Sequence, residues 1–228
     1  MNNAVERNDL FWNEHTGNNT STGELHRERN WLVQELNHRV RNILQVVHSL
    51  LNTQLHYLQD ESAIEATREN QRRIFALSLT YTQLNPKGIV NKVPMRWYIG
   101  ELVQYLADSY GVRNEIRFEQ QVEEIELDLS QALSVGLIVH EAVSNSIKYA
   151  FPIPGRGLIR IALLHTGDHS TSLCVSDNGV GIPSPFFAEG TGQLGLRLIR
   201  GLAVDLDASF HLRNDEGAVV NIEFRASE

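Results

Sequence analysis

Val139-His-Glu-Ala-Val-Ser-Asn-Ser-Ile-Lys-Tyr-Ala-Phe151 is the stretch around which the chain is organised. Val139, Val143 and Ile147 recur every four residues and predict a helix with an apolar stripe. Glu141, Asn145 and Lys148 fall at i, i+4 and i+7, so a second face carries a carboxylate, a carboxamide and an ammonium. The helical rise makes that row about 10 Å long. An ammonium suits a phosphate. A carboxamide oxygen and a carboxylate suit a magnesium ion that keeps most of its waters. A solvated helix face can show the same three residues, so the choice depends on the segments that follow.

Two glycine-bearing segments follow. In Leu173-Cys-Val-Ser-Asp-Asn-Gly-Val-Gly-Ile-Pro183 an apolar strand runs into Asp177, and Gly179 and Gly181 then let the backbone turn close to a ligand. An aspartate at the end of a buried strand can accept a hydrogen bond from an exocyclic amine, which suits adenine. In Gly190-Thr-Gly-Gln-Leu-Gly-Leu-Arg-Leu-Ile-Arg200 a glycine-rich loop opens a helix, whose free N–H groups would face a phosphate. Either segment alone is a weak signal. The ordered set of three is a strong one.

Glu141–Asn145–Lys148, Asp177-x-Gly179-x-Gly181 and Gly190-Thr191-Gly192…Gly195-Leu196 resemble the N, G1 and G2 boxes of the Bergerat-fold ATPase superfamily. Upstream, Glu35-Leu-Asn-His38-Arg-Val-Arg-Asn42-Ile-Leu-Gln45 resembles the phosphoacceptor segment of the HisKA_2 / HWE-like histidine kinases. The two matches come in the family's order and span residues 24 to 226. The resemblance implies ATP and Mg²⁺ as cofactors. It implies His38 as phosphoacceptor, with Glu35, Asn42 and Glu141 assisting. Asn145 and Glu141 would hold the metal. Lys148, Tyr149, Asp177, Gly179, Gly181, Thr191, Gly192, Gly195 and Leu196 would hold the nucleotide. His140 is assigned no role.

Composition sets the frame. The chain has 228 residues, a formal net charge of −8 and 42% hydrophobic residues, enough for a real core and contrary to a nucleic-acid footprint. Its one cysteine, Cys174, excludes an internal disulfide and reads as a packing residue in a strand. No apolar run reaches 18 residues, and the N-terminus shows no signal pattern, so the expectation is a cytoplasmic protein with no membrane span.

The expected organisation is a mobile tail over 1–23, a helical hairpin over 24–88 and an ATP-binding domain over 89–228. The first helix carries Leu32, Leu36, Val40, Ile43, Val47 and Leu50 close to heptad spacing. Ser62 and Glu65 read as a capping box opening the second helix, with Ile64, Thr67, Ile74, Leu77, Tyr81 and Leu84 as its buried stripe and Asn85-Pro86 as its stop. Such a seam exposes more apolar surface than a hairpin can hide, so pairing into a four-helix bundle, and hence a homodimer, is expected. Cover by the C-terminal domain is the alternative. His38 points away from the seam, where a neutral ring nitrogen is a usable nucleophile. Beyond residue 89 the pattern predicts an α+β sandwich, a mixed or antiparallel sheet with helices on one face. Phe186 and Phe187 lie in a short lid segment that packs either on a partner or on the domain itself.

The functional expectation is a two-component histidine kinase. It would autophosphorylate His38 and pass the phosphoryl group to an aspartate of a response-regulator receiver domain; the signal would come either through a separate sensor protein or from another part of a longer chain. The alternative is a histidine phosphotransfer protein of the same shape with a dead nucleotide site. A serine kinase of the superfamily is a third reading, which would leave the Glu35–Gln45 match without purpose.

Overall fold

The computed structural model describes residues 13–82, 92–152, 157–167, 170–183 and 194–227, with the side chains of residues 28 and 29 and, within those ranges, from residue 31 onward. Leu84, the Asn85-Pro86 stop, the Phe186–Phe187 lid, Thr191 and Gly192 lie outside the described residues.

Helices α1 (Asn13–Leu55) and α2 (Glu61–Thr82) form the hairpin. The helix reaches back into the stretch expected as a tail, since propagation adds a hydrogen bond per residue with no new nucleus. The cap of α2 is Asp60 rather than Ser62. The Asp60 carboxylate accepts from the amide of Ala63 at 2.8 Å and the hydroxyl of Ser62 at 2.5 Å.

The ATPase-like part follows as β1 (Lys92–Pro94), α3 (Met95–Ser109), β2 (Ile116–Val122), β3 (Glu126–Asp128), α4 (Leu129–Asn145), β4 (Gly157–Gly167), β5 (Ser170–Asp177), α5 (Leu194–Asp205), β6 (Ser209–Asn214) and β7 (Ala218–Arg225). A five-stranded sheet runs β2-β4-β5-β7-β6, with β2 parallel to β4 and every other pairing antiparallel. In β4 and β5 buried residues alternate with less buried ones. Ile159, Ile161, Leu163, Leu173 and Val175 therefore face the helices. The antiparallel pair β1–β3 carries residues into α3 and α4, a small sheet the sequence pattern does not announce. Asp128 caps α4 by accepting from the Gln131 amide at 2.8 Å.

One contiguous core joins the sandwich to α2, because Ala76 and Leu79 of α2 are buried with Tyr98, Leu102 and Val139. Gly136 makes this possible. A Cβ there would sit 1.9 Å from the Tyr98 hydroxyl, so only glycine admits the ring across α4. The Tyr98 hydroxyl then donates to the carbonyl of Ala76 at 2.9 Å, and burial pushes the phenol well above its usual range.

The hairpin differs from expectation in which face is covered. Leu32, Leu36, Ile43, Val47 and Leu50 are exposed, so this row faces away from α2. Val33, Val40, Leu44, Leu51 and Leu55 are the half-covered apolar positions among the described residues of α1. α2 is covered on two sides, by α1 and by α3 with α4, so its fully buried residues include Arg72, Ala76 and Thr80 as well as the expected half-buried stripe.

Candidate functional site

The turn after β5 builds one half of the site. Asp177 is buried at the strand end. Its Oδ1 accepts from the amides of Gly179 at 2.9 Å and Ala218 at 3.1 Å, and its Oδ2 accepts from the Ser146 hydroxyl at 2.7 Å. These bonds hold the carboxylate in one orientation. Gly179 passes so close to the helical segment that a Cβ would meet the Ala150 carbonyl at 2.3 Å. Gly181 adopts φ +75, where a side chain is strained, and Asn214 pins the next residue through the Ile182 amide and carbonyl at 2.9 and 3.0 Å.

Behind this turn lies a cavity of about 320 Å³. Asp177, Asn145, Ser146 and Tyr149 line it, with Val175, Ile182, Leu196 and Val220 as apolar wall. An apolar slot with one oriented carboxylate suits the ring and amine of a purine. The first turn of α5 closes one end. A Cβ on Gly195 would lie 2.7 Å from Glu141 Oε2 and 3.3 Å from Asn145 Nδ2, so α5 approaches α4 as closely as it does only because this residue is glycine. Free amides at that helix start are suited to phosphate.

Glu141 and Lys148 do not line the cavity. Asn145 is followed by a π-helical turn, Ser146–Ala150, which advances less per residue than an α-helix. Lys148 therefore lags behind Asn145 and swings toward α2. The straight i, i+4, i+7 row read from the sequence is broken there. The Lys148 ammonium pairs with Glu69 and lies 3.5 Å from Glu65. Glu141 is 2% exposed, and both its oxygens are taken by Arg73, whose Nε and Nη2 donate at 2.6 and 3.0 Å. The ring Nδ1 of His140 adds a third contact at 3.2 Å and so carries the proton, since a carboxylate only accepts. Burial works to raise the Glu141 carboxyl, but the bonds from His140 and Arg73 outweigh it and hold it down at about 2. Burial also works against the Glu69–Lys148 pair, yet Glu69 is lowered and Lys148 raised, each by the other.

Glu69, His140 and Glu141 bring three potential ligand atoms within 4.8 Å of one another. Arg73 and Lys148 already neutralise both carboxylates, and a metal ion would have to displace them. The arrangement suits ion pairs rather than a cation. Of the two residues expected to hold Mg²⁺, Asn145 lies on the cavity wall and Glu141 is committed to Arg73. Mg²⁺ needs few protein ligands when phosphates supply others, so the Asn145 carboxamide fits such an ion.

On α1, His38 is exposed and Asn42 is exposed four residues on. Glu35 does not turn to His38; its carboxylate pairs with Arg39 at 2.7 Å, because the i, i+4 partner is of opposite charge. Arg73 and Glu69 are the residues of the site that sequence reading missed. Their signal, charged residues at i and i+4 on a face of α2 without an apolar stripe, is indistinguishable in sequence from a solvated face.

A helical hairpin bearing an exposed histidine, joined to a sandwich whose glycine turns enclose an apolar slot, is the architecture of a histidine kinase core. Comparison agrees. Residues 35–110 match the HisKA_2 family, described as histidine kinase, and residues 130–228 match the histidine kinase-, DNA gyrase B- and HSP90-like ATPases. Residues 35–110 thus carry a HisKA_2 histidine kinase region and residues 130–228 an ATPase region of the histidine kinase type. It is 28% identical over 184 residues to the sensor histidine kinase PdtaS of Mycobacterium tuberculosis, covering 80% of this chain and 36% of that one. It is 26% identical over 200 residues to blue-light-activated histidine kinase 2 of Erythrobacter litoralis, covering 85% of this chain and 57% of that one. The chain thus spans between a third and three fifths of these relatives. In fold it is similar to the histidine kinase domain of the Erythrobacter litoralis EL346 blue-light activated kinase, with a TM-score of 0.63 at 23% identity over 79% of this chain and 95% of that one. Among the described residues no helix is long and apolar enough to cross a membrane.

Proposed function

We propose that this chain binds Mg·ATP in the cavity between α4 and the β5 turn, phosphorylates His38, and hands the phosphoryl group to an aspartate of a response-regulator receiver domain. The observation that carries this reading is the open slot with Asp177 fixed in its lining. A passive phosphotransfer protein has no use for such a slot. Asp177 and Ser146 would receive the adenine, and Tyr149, Gly179, Gly181 and Leu196 would shape its walls. The α5 amides from Gly195 would face the phosphates; Thr191 and Gly192, which the resemblance also assigns to the nucleotide, lie outside the described residues. Asn145 would hold Mg²⁺, which supplies neutralisation of phosphate charge when bound.

A ring nitrogen of His38 attacks the γ-phosphorus. The N–P bond forms as the bond to the bridging oxygen breaks, and ADP leaves. The receiver carboxylate then takes the phosphoryl group and regenerates the imidazole. The work of the protein is positioning and charge neutralisation. The exposed α1 row of Leu36, Ile43, Val47 and Leu50 supports a homodimer joined through the hairpins, since an apolar stripe of that length is a docking surface. A cytoplasmic setting completes the reading.

The test uses γ-³²P-ATP. His38→Ala takes up no label yet still binds ATP in calorimetry, whereas Asn145→Ala loses Mg·ATP binding together with labelling. Label retained on His38→Ala moves the acceptor elsewhere. Absence of any heat on adding Mg·ATP to the parent protein turns the reading to the passive phosphotransfer alternative.

A further inference from the structure

The large sheet ends on β2 (Ile116–Val122), which pairs with β4 on one side and with no strand among the described residues on the other. Glu115 and Glu123, at its two ends, turn their backbone to β4. The first accepts from the Gly157 amide at 3.1 Å, and the second donates to the Leu163 carbonyl at 3.0 Å. The ladder repeats every second residue, so the N–H and C=O groups of Phe118 and Gln120 point away from the sheet. Such edges are commonly blunted by proline, a bulge or an inward-pointing charge. β2 has none of these: its helix-facing residues are Ile116, Phe118, Gln120 and Val122, and its register with β4 is unbroken.

Alongside the free edge runs a groove of about 1060 Å³ between β2 and α3. Trp97, Gly100, Gln104 and Ala107 line it on the helix, Phe118 and Gln120 on the strand. Gly100 lies inside α3, where glycine weakens a helix relative to alanine. Gly136 is required by the Tyr98 ring, but a Cβ on Gly100 would meet nothing nearer than Gln120 Oε1 at 4.0 Å. The chain's own packing does not call for this glycine. Room for a second chain along the groove does.

The charges on β2 decide which chain fits. Its solvent face carries Arg117 and Glu119, 3.1 Å apart, with the Arg117 side chain 77% exposed. Two copies of β2 can lie antiparallel about a two-fold axis centred on any residue. Centring on Arg117 or on Glu119 sets like charges directly opposite, which is destabilising. Centring on Gln120 sets Glu119 against Gln121 and gains no charge pair. Centring on Phe118 sets Arg117 of each copy against Glu119 of the other, and Phe118 is a residue whose backbone is free to bond across. The Ile116 amide is already bonded to the Val112 carbonyl at 2.9 Å, so the shared ladder is short and the association weak.

We propose that the free edge of β2 pairs with the same edge of a second copy of this chain, antiparallel and centred on Phe118, with the two α3 helices approaching over the join at Gly100. The inference stands apart from the kinase reading. Added to the α1 row, it gives each chain two self-complementary faces, so dimers joined through the hairpins link into larger assemblies.

The test uses the full chain carrying Ile43→Glu, which removes the α1 row, and Cys174→Ser. This protein is monomeric when dilute and dimerises as its concentration rises, read by sedimentation equilibrium. Adding Arg117→Glu makes both charge pairs repulsive and weakens the association about tenfold. Adding Glu119→Arg to Arg117→Glu restores it. Phe118→Cys in the same background gives a disulfide-linked dimer on oxidation, because residues opposed in a bonded pair lie about 5.5 Å apart, within reach of a disulfide. Gln121→Cys, which this register holds roughly 20 Å from its own copy, does not. A monomer at every concentration up to about 1 mM overturns the proposal. Association that Arg117→Glu leaves unchanged overturns it too, as does cross-linking no faster at position 118 than at 121. If Phe118→Cys fails to fold, the charge swap decides alone.

Discussion

The two sides of α4 and its π turn are built from the same short segment yet present opposite surfaces. On one side Asn145, Ser146 and Tyr149 open onto a slot of about 320 Å³. On the other, Glu141 and Lys148 are closed against α2 by Arg73 and Glu69. The open side is held by neutral partners and backbone amides around Asp177, which leave room for a ligand. The closed side is held by charge, and charge can be released to water. The difference separates an open, largely apolar slot from a packing contact made of buried ion pairs.

The largest effect expected from breaking this comparison is on the open side. Asp177→Ala removes the oriented acceptor and frees Ser146 Oγ and the Gly179 and Ala218 amides. ATP affinity should fall about a hundredfold, the equivalent of roughly 3 kcal/mol, measured by calorimetry. An unchanged affinity would mean that the adenine end lies elsewhere.

Next comes acid, which acts on the closed side. The Glu141 carboxyl is held at about 2 against 4.5 in the unfolded chain. A lowered carboxyl contributes stability that is fully present above about 4.5 and is lost as pH falls toward 2. Unfolding free energy should therefore drop by about 3 kcal/mol across that window from this group. Arg73→Gln should flatten that part of the profile, read from denaturant midpoints at each pH. A profile identical in parent and variant would show that the pair does not set it.

The smallest effect on the fold, within about 0.5 kcal/mol, is expected for Ile43→Glu on the exposed α1 row. The same change should convert a dimer to a monomer in light scattering. A mass that is unaltered by Ile43→Glu would remove this row from the interface.

Much of the molecule was legible from residue pattern. The hairpin, the sandwich and the Asp177 turn follow from periodicity and the places where only glycine fits, all of which are local. The direction of the α1 seam was not legible. Heptad spacing marks an apolar row, but Leu36 and Ile43 carry no sign of whether α2 or another chain will cover it. The cap of α2 moved from Ser62 to Asp60 because two oxygen-bearing residues compete within one turn, and the carboxylate is the stronger acceptor. Glu35 went to Arg39 rather than His38 for a similar reason, a full charge four residues away.

By itself, the sequence determined the helical hairpin, the main strands and the Asp177 turn, and it singled out Asn145, Tyr149, Asp177, Gly181 and Leu196, which lie on the slot, because helix periods, strand alternation and glycine-dependent turns act over a few residues. Only the tertiary structure decided that Glu141 and Lys148 face the hairpin, since that depends on a π turn and on cations and carboxylates 68 to 79 residues away in the chain. Long-range ion pairs leave no periodic mark, and it is packing, through Gly136, Tyr98 and Ala76, that brings their partners within reach.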